Sequence, residues 1–317
     1  MAIGPTIILT QPGVSVSTEK IIKVAILGTG NIGADLCERL LLDKKFLVVA
    51  FVGRRADSPG LKRMVGRVEH IIDQGIEGLL PFLDQIDGVF DATSAFDHAS
   101  HWDTLSAAGK WVIDLTPSRI GKPIVPELTG YLDSMEISSD YAANYSMVTC
   151  GGQSSAPLVF AIASHAKNPT EIEISSSIAS LSAGPATRRN LDQYIGSTED
   201  LATRVSAGVP SKAILVLNPA EPPIMMRTTV TIKAESFDLV SIRVLCEEIV
   251  NRVKKYVPGY DLVVEPHELD RTLVSATVKV TGEGYYLPEY AGNLDIINAA
   301  AVETAKRHME SFSGAGL

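Results

Sequence analysis

The hexapeptide Gly-Thr-Gly-Asn-Ile-Gly at residues 28–33 is the feature that most constrains how this chain folds. It follows an apolar run at residues 24–27, and Ile32, Leu36 and Leu40 then recur every fourth residue, as on one face of an amphipathic helix. Between a strand and a helix, such glycines permit a tight turn, a close approach of the backbone to a pyrophosphate, and close helix packing. The sequence therefore predicts a dinucleotide site at the helix N-terminus, with a compact βα turn that binds no ligand as the alternative.

Further apolar runs downstream are typical of short buried strands. They occupy residues 46–52, 88–92, 111–115 and 146–149. The segments between them are long enough for crossover helices or connections, and strands that alternate with helices predict a doubly wound parallel sheet. We therefore expect a Rossmann dinucleotide-binding domain over residues 21–150. Residues 1–20 mix Pro, Gly, Ser and Thr without periodicity and are predicted to form a loose N-terminal tail.

The pattern changes after residue 150. Alternation of apolar and polar residues, as in half-buried strands of an antiparallel sheet, is present at residues 171–178, 228–234 and 271–280. An amphipathic helix is predicted over residues 239–256, where apolar side chains recur on one face. These elements predict an α+β domain over residues 151–292.

The stretch at residues 294–312 has the pattern of a last helix. We expect it to pack on the first domain, whose sheet needs cover, so that residues 293–317 complete that domain. At roughly 150 residues per domain, a chain of 317 residues accommodates two. The predicted fold class is α/β, a doubly wound Rossmann domain joined to an α+β domain.

Charge and composition exclude several classes of function. Lys and Arg number 28 against 37 Asp and Glu, a formal charge of −9 that repels nucleic acid backbones, so no nucleic acid partner is expected. No stretch approaches the roughly 18 apolar residues of a membrane span, and no basic region precedes the short apolar patch at residues 7–9 as in a secretory signal. Three cysteines without CxxC spacing fit a reducing compartment, so a cytoplasmic location is expected. His98 and His101 lack further ligands at suitable spacing, so we expect surface histidines and no metal.

Cys150 is the candidate nucleophile. It ends the strand predicted at residues 146–149 and precedes an apolar helix predicted to begin near residues 154–157. A helix N-terminus stabilises a thiolate, and Gly151 and Gly152 expose backbone N–H groups suited to an oxyanion hole. A packed, unreactive thiol is the alternative, which we expect for Cys37 and Cys246 inside amphipathic helices. A nucleophilic cysteine beside a nicotinamide site indicates aldehyde oxidation through a thiohemiacetal and a thioester.

The end of the second strand leaves the choice between NAD and NADP open. An acidic residue about 20 positions after the glycine turn holds the adenosine ribose in NAD-dependent Rossmann domains. This chain has Gly53, Arg54 and Arg55 instead. Arginine binds a 2′-phosphate or stacks on adenine, and it is also common as solvated charge at a strand end.

Eight sequence blocks carry a resemblance to a known family. They are GTGNIG at 28–33, FDATSA at 90–95, DLTP at 114–117, MVTCGGQ at 147–153, SAGP at 182–185, LNPAEPP at 217–223, KYVPGY at 255–260 and YAGNLDI at 290–296. With these blocks the chain resembles the acylating acetaldehyde dehydrogenases of the meta-cleavage pathways of aromatic hydrocarbon catabolism. The resemblance extends from about residue 23 to the end of the chain.

The resemblance implies that acetaldehyde or propanal, NAD⁺ and coenzyme A give acyl-CoA and NADH, on a fold similar to glyceraldehyde-3-phosphate dehydrogenase. Cys150 is then the acyl-thioester nucleophile, the chain is a homodimer, and a 4-hydroxy-2-oxovalerate aldolase is its partner. The residues that the resemblance assigns to the nicotinamide cofactor are Thr29, Gly30, Asn31, Ile32, Ser182, Ala183, Gly184, Pro185, Ala186, Thr187, Arg188, Arg189, Asn190 and Asn293. From the residues alone, the segment at 182–190 is a turn that opens a helix, and Asn293 is an ordinary N-cap.

Two features of the sequence depart from the family pattern. Arg54 and Arg55 stand where the family often has acidic residues, which keeps NADP as a candidate cofactor. Thr228 stands where the family has an aspartate after Met-Arg, so a carboxylate that would tune the thiol is absent there. Two other functions remain: a phosphorylating semialdehyde dehydrogenase, although no histidine shares a motif with Cys150, and a non-catalytic dinucleotide-binding subunit in which Cys150 is packed.

Overall fold

The structure is a computed structural model that describes residues 21–313, apart from the side chains of Pro185, Ala186 and Ser313. The tail predicted over residues 1–20 and the last four residues of the segment 293–317 lie outside the described residues. In the described part of the chain, no helix has the length and apolar character that crossing a membrane requires.

The larger sheet is parallel throughout and carries the glycine turn. Its strands are β1 (Ile22–Leu27), β2 (Phe46–Val52), β3 (His70–Ile72), β4 (Gly88–Asp91), β5 (Trp111–Asp114), β6 (Lys122–Pro123) and β7 (Asn144–Ser146). The helices that accompany them are α1 (Asn31–Leu42), α2 (Pro59–Met64), α3 (Gly75–Leu79) and α4 (Ala95–Ala107). The strand order β3-β2-β1-β4-β5-β7-β6 places β1 beside β4, where the winding of the chain reverses. Ligands of doubly wound sheets bind at the carboxyl ends of the strands at such a point.

Burial on both faces explains why these strands are continuous apolar runs. On β1, Val24 and Ile26 belong to one hydrophobic cluster and Ala25 and Leu27 to a second, and none is more than 1% exposed. A strand covered on both faces needs an apolar side chain at every position rather than at alternate ones. For this reason β2 occupies the run predicted at residues 46–52 without a shift.

The strand and the helix predicted around Cys150 need correction. The strand ends at Ser146 rather than at residue 149, and the helix α5 (Cys150–Ala163) begins at Cys150 rather than near residues 154–157. The chain leaves the sheet through Val148, which has a φ of 60°, and Thr149 then caps the helix by accepting a hydrogen bond from Gly152 N at 2.8 Å. The cap starts the helix four residues early and places the thiol in its first turn.

The second sheet contains five strands within the described residues. The elements after α5 are β8 (Ala166–Lys167), β9 (Glu171–Ala179), α6 (Pro185–Arg189), α7 (Leu191–Val205), β10 (Ser211–Asn218), β11 (Met226–Lys233), β12 (Ser236–Phe237), α8 (Leu239–Val253), β13 (Tyr260–Asp270), β14 (Leu273–Val280) and α9 (Gly292–Ser313). The sheet order is β10-β9-β11-β14-β13, and β8 pairs separately with β12. The antiparallel pairing predicted for the strands at residues 171–178, 228–234 and 271–280 is confirmed, because β11 pairs antiparallel with both β9 and β14. The edge strand β10, which the sequence analysis does not predict, lies parallel to β9, because α7 carries the chain back between them.

The described part of the terminal helix α9 packs against α1, α5 and β5. Asn298 Nδ2 donates to Asp35 Oδ2 at 2.8 Å, and Arg39 Nη2 donates to Asp295 Oδ1 at 2.6 Å. These buried polar contacts fix the N-terminal part of α9 beside α1. The predicted fold class, a doubly wound α/β sheet joined to an α+β unit, is confirmed.

Candidate active site

A cavity of about 680 Å³ lies where the glycine turn, the start of α5 and the start of α9 meet. Of the residues predicted from the sequence, those that line it are Thr29, Gly30, Asn31, Ile32, Cys150, Ser182, Gly184, Thr187, Asn190 and Asn293. The Cys150 thiol and the glycine turn, which lie far apart in the sequence, therefore share one cavity.

The three glycines of the turn have different structural roles. Gly28 has a φ of +103°, and a Cβ on it would lie 2.4 Å from the backbone oxygen of Ala92. A Cβ on Gly33 would lie 1.9 Å from the oxygen of Gly28, whereas a Cβ on Gly30 would have nothing within 4 Å. Gly28 and Gly33 are required for packing, and Gly30 leaves open space in front of the α1 N-terminus, where no described side chain forms a cap. This arrangement fits a pyrophosphate.

Asn293 supplies a polar group with no partner. It is 5% exposed and lines the cavity, and its Oδ1 has no hydrogen-bond partner among the described residues. Because α9 begins at Gly292, Asn293 belongs to the first turn of the helix and is not the N-cap that the residues alone predict. A buried amide without a partner suits the carboxamide of a nicotinamide.

Only some residues of the segment 182–190 line the cavity. Ser182, Gly184, Thr187 and Asn190 line the cavity, and Ala183 is buried beside it. Arg188 is exposed, and its guanidinium donates to backbone oxygens of its own loop, at 3.0 Å to Ala183 O and at 2.7 Å to Ser180 O. Arg189 is exposed and is not among the residues that line the cavity. The side chains of Pro185 and Ala186 are not described. Of the seven residues in this segment whose side chains are described, the structure thus brings four into the cavity with Cys150.

Cys150 is 9% exposed, and its Sγ lies 3.5 Å from the Tyr194 hydroxyl of α7. Burial raises the pKa of the Cys150 thiol above its ordinary value, while the Tyr194 hydroxyl and the backbone N–H of Gly151 lower it in part. Burial also raises the pKa of Tyr194 well above the usual range, so its hydroxyl keeps its proton and can donate to a thiolate. The site holds a thiol that ionises only as the pH rises, with a donor ready for the thiolate.

Hydroxyl groups occupy the position where the sequence lacks the family aspartate. Thr228 is fully buried, and its Oγ1 lies 2.8 Å from Ser154 Oγ and 3.0 Å from Ser176 Oγ. Ser176 lowers the pKa of Tyr194 in part, against the larger effect of burial. Neutral hydroxyl groups therefore extend from Thr228 toward the tyrosine that contacts Cys150. Sequence reasoning missed Tyr194, because nothing in the sequence near it signals a contact with a residue 44 positions away.

Replacing Tyr194 by phenylalanine is expected to slow the reaction of Cys150 with iodoacetamide about tenfold near neutral pH, since a hydrogen bond to a charged group contributes roughly 1.5–3 kcal/mol. Loss of the hydroxyl raises the pKa of the thiol further, so the rise of rate with pH shifts to higher pH. Mass spectrometry of the Cys150 peptide at several pH values measures this. Cys37 and Cys246, whose pKa burial raises to about 12, are internal standards that should stay unlabelled. Identical pH profiles in the two proteins would contradict the role of Tyr194.

The prediction that His98 and His101 are surface histidines is wrong. They lie one turn apart on α4 and are 0% and 8% exposed. Asp91, at the end of β4, places Oδ2 at 2.9 Å from His98 Nδ1 and at 2.8 Å from His101 Nδ1. This buried carboxylate compensates for the burial of the two rings. Within residues 21–313 no group of three or more His, Cys, Asp or Glu side chains has an arrangement suited to a metal ion.

The chain is similar to known proteins in sequence and in fold. Residues 150–288 match the family model described as prokaryotic acetaldehyde dehydrogenase, dimerisation, and residues 23–128 match that of the semialdehyde dehydrogenase NAD binding domain. The acetaldehyde dehydrogenase of Pectobacterium atrosepticum is 46% identical over 283 residues, which cover 89% of this chain and 94% of that protein. The acetaldehyde dehydrogenase of Spirochaeta aurantia is 45% identical, with 92% and 96% covered.

Among solved structures, aspartate semialdehyde dehydrogenase II of Vibrio cholerae, crystallised with ASA, superposes with a TM-score of 0.63. At 12% identity, over 92% of this chain and 100% of that one, this match concerns the fold alone. The family assignment depends on the family models and on the two bacterial relatives. On these grounds, the chain belongs to the acetaldehyde dehydrogenase family.

Proposed function

We propose that this chain converts acetaldehyde or propanal, NAD⁺ and coenzyme A into acyl-CoA and NADH through a thioester on Cys150. The observation that carries the proposal is that Cys150, Gly30 and Asn293 line one cavity. In this proposal residues 21–150, completed by residues 293–317, bind the dinucleotide, and residues 151–292 supply catalysis and the dimer contact.

The first step is attack on the aldehyde by Cys150. Sγ, as the thiolate, forms a bond to the carbonyl carbon, and the electron pair of the carbonyl double bond moves to oxygen. Thr149 already accepts from Gly152 N and Gln153 N, which leaves the N–H groups of Cys150 and Gly151 as donors for this oxygen. Tyr194 holds the thiolate before attack.

Oxidation and acyl transfer follow at the same sulfur. When bound, the nicotinamide supplies the hydride acceptor that converts the thiohemiacetal of Cys150 into a thioester. The glycine turn would hold the phosphates of the cofactor, and the amide of Asn293 would hold the carboxamide of its nicotinamide in the cavity that Cys150 also lines. Cys150 then leaves as a thiolate when the sulfur of coenzyme A attacks the acyl carbon.

We also infer a homodimer and an aldolase partner. The match to a dimerisation model over residues 150–288 supports the dimer, and the second sheet presents exposed apolar side chains, among them Ile214 and Val216 on β10 and Val264 on β13. The family resemblance supports a 4-hydroxy-2-oxovalerate aldolase of aromatic catabolism as the source of the aldehyde.

The test is the formation of NADH from acetaldehyde and from propanal, measured by absorbance with coenzyme A, with inorganic phosphate, and with neither. We expect turnover that requires coenzyme A. Turnover that requires phosphate instead would replace the proposal with a phosphorylating semialdehyde dehydrogenase. A folded protein that binds NADH and turns over under none of these conditions would contradict an enzymatic role.

A further inference from the structure

The two arginines after β2 have different surroundings. Arg54 lines the cavity, and its Nη1 lies 3.2 Å from Asp97 Oδ2 at the start of α4. Arg55 is not among the described residues that line the cavity, and its Nε lies 3.3 Å from Asp57 Oδ1. Both arginine side chains are about three-quarters exposed, at 74% and 76%. Equal in charge and exposure, they differ in whether they face the cavity.

Asp97 supplies a fixed carboxylate where β2 has none. Ser94, the N-cap of α4, accepts from Asp97 N at 3.2 Å and donates its hydroxyl to Asp97 Oδ2 at 2.8 Å. The side chain of Asp97 is 21% exposed and lines the same cavity. At this end of the cavity, the helix cap therefore holds the Asp97 carboxylate in place, whereas the Arg54 guanidinium is mostly exposed and is paired with that carboxylate. Exposed ion pairs of this kind are weak and exchange readily.

We propose that Arg54 and Asp97 together recognise the 2′-position of the adenosine ribose, so that the chain binds NADP⁺ as well as NAD⁺. The proposal rests on the dinucleotide site of the proposed function. Asp97 takes the place of the acidic residue that normally follows β2 and accepts hydrogen bonds from the ribose hydroxyls of NAD⁺. With NADP⁺, Arg54 exchanges Asp97 for the 2′-phosphate, which it binds through its planar fork of donors. The stem of Arg54 lies beside Gly75, and its side chain is 74% exposed, so its guanidinium has room to turn.

Binding, rather than turnover, provides the test. Dissociation constants for NADH and NADPH are measured by calorimetric titration of the wild-type protein and of the Arg54→Ala, Arg55→Ala and Asp97→Asn variants, with thermal unfolding as the check that each is folded. For the wild-type protein, we expect the dissociation constants for NADH and NADPH to lie within about tenfold of each other. Arg54→Ala should weaken NADPH binding roughly tenfold to a hundredfold, because one charge-assisted interaction is lost. The same variant should change the dissociation constant for NADH about twofold or less.

The other two variants separate this proposal from its rivals. Arg55→Ala is the matched control and should leave both constants within about twofold of wild type, as expected for a solvated surface charge. Asp97→Asn keeps an oxygen acceptor for Ser94 and should weaken NADH while leaving NADPH unchanged or tighter.

Four results would overturn the proposal. If Arg55→Ala weakened NADPH binding more than Arg54→Ala did, Arg55 rather than Arg54 would recognise the 2′-phosphate. Unchanged NADH binding in Asp97→Asn would show that the Asp97 carboxylate does not bind the ribose. Binding of NADH without measurable binding of NADPH would refute dual recognition and leave the proposed function intact. Failure to bind either nucleotide would refute the dinucleotide site, and the proposed function with it.

Discussion

Replacement of Cys150 by serine is expected to lower kcat/KM for coenzyme A-dependent aldehyde oxidation by about 10⁴-fold or more, as removal of a covalent nucleophile does in other enzymes. The serine hydroxyl does not ionise near neutral pH, so neither Tyr194 nor the first turn of α5 has an anion to stabilise. The rate of NADH formation under saturating coenzyme A measures the loss.

Binding of NADH separates a chemical defect from a structural one. Cys150→Ser conserves size and hydrogen bonding, so its dissociation constant for NADH should stay within about twofold of wild type. Cys37→Ala is the matched control, because Cys37 is also a buried helical cysteine but lies outside the cavity lining. We expect that variant to retain turnover. Wild-type turnover in Cys150→Ser would refute the thioester mechanism, whatever the binding result.

The sequence predicts those strands whose burial is regular, either uniform, as on β1 and β2, or alternating, as on β9 and β11. β1 and β2 are apolar at nearly every position because helices cover both faces, and this pattern is visible without a structure. β10 and β13 were missed for two different reasons. The apolar run of β10 shows no polar alternation and lies at the sheet edge, with Ile214 and Val216 exposed, whereas β13 contains Pro266 and several register shifts.

The candidate site likewise contains some residues that local sequence predicts and others that it does not. The glycine turn and Cys150 are local signals, since each depends on neighbours within a few residues. Tyr194 becomes part of the site only because α7 packs against α5, and no periodicity or spacing in the sequence carries that contact. The three-residue spacing of His98 and His101 does indicate one face of a helix, but the buried partner that makes them core residues, Asp91, belongs to another element. Long-range packing, rather than local preference, determines these parts.

Gly30→Ala is expected to weaken NADH binding about tenfold to a hundredfold without destabilising the protein. The added methyl group meets no protein atom within 4 Å, so it lies in the open space in front of the α1 N-terminus. A pyrophosphate held there would have to move away from the backbone N–H groups, at a cost of roughly 1.5–3 kcal/mol for each charged hydrogen bond lost. Calorimetric titration with NADH and urea unfolding of the free protein measure the two effects.

Gly28→Ala is the matched comparison, because the same methyl group placed two residues earlier has a different consequence. At Gly28 it would lie 2.4 Å from the backbone oxygen of Ala92, on a residue with a φ of +103°, and neither backbone segment is free to move. We therefore expect the free energy of unfolding to fall by roughly 3 kcal/mol or more, the size typical of a steric conflict in a packed core. If Gly30→Ala instead destabilised the fold and bound NADH normally, the open space before α1 would not be the phosphate site, and the cofactor would have to bind elsewhere in the cavity. A stable Gly30→Ala protein with weakened NADH binding, beside a destabilised Gly28→Ala protein, would separate the glycine needed for the ligand from the glycine needed for the turn.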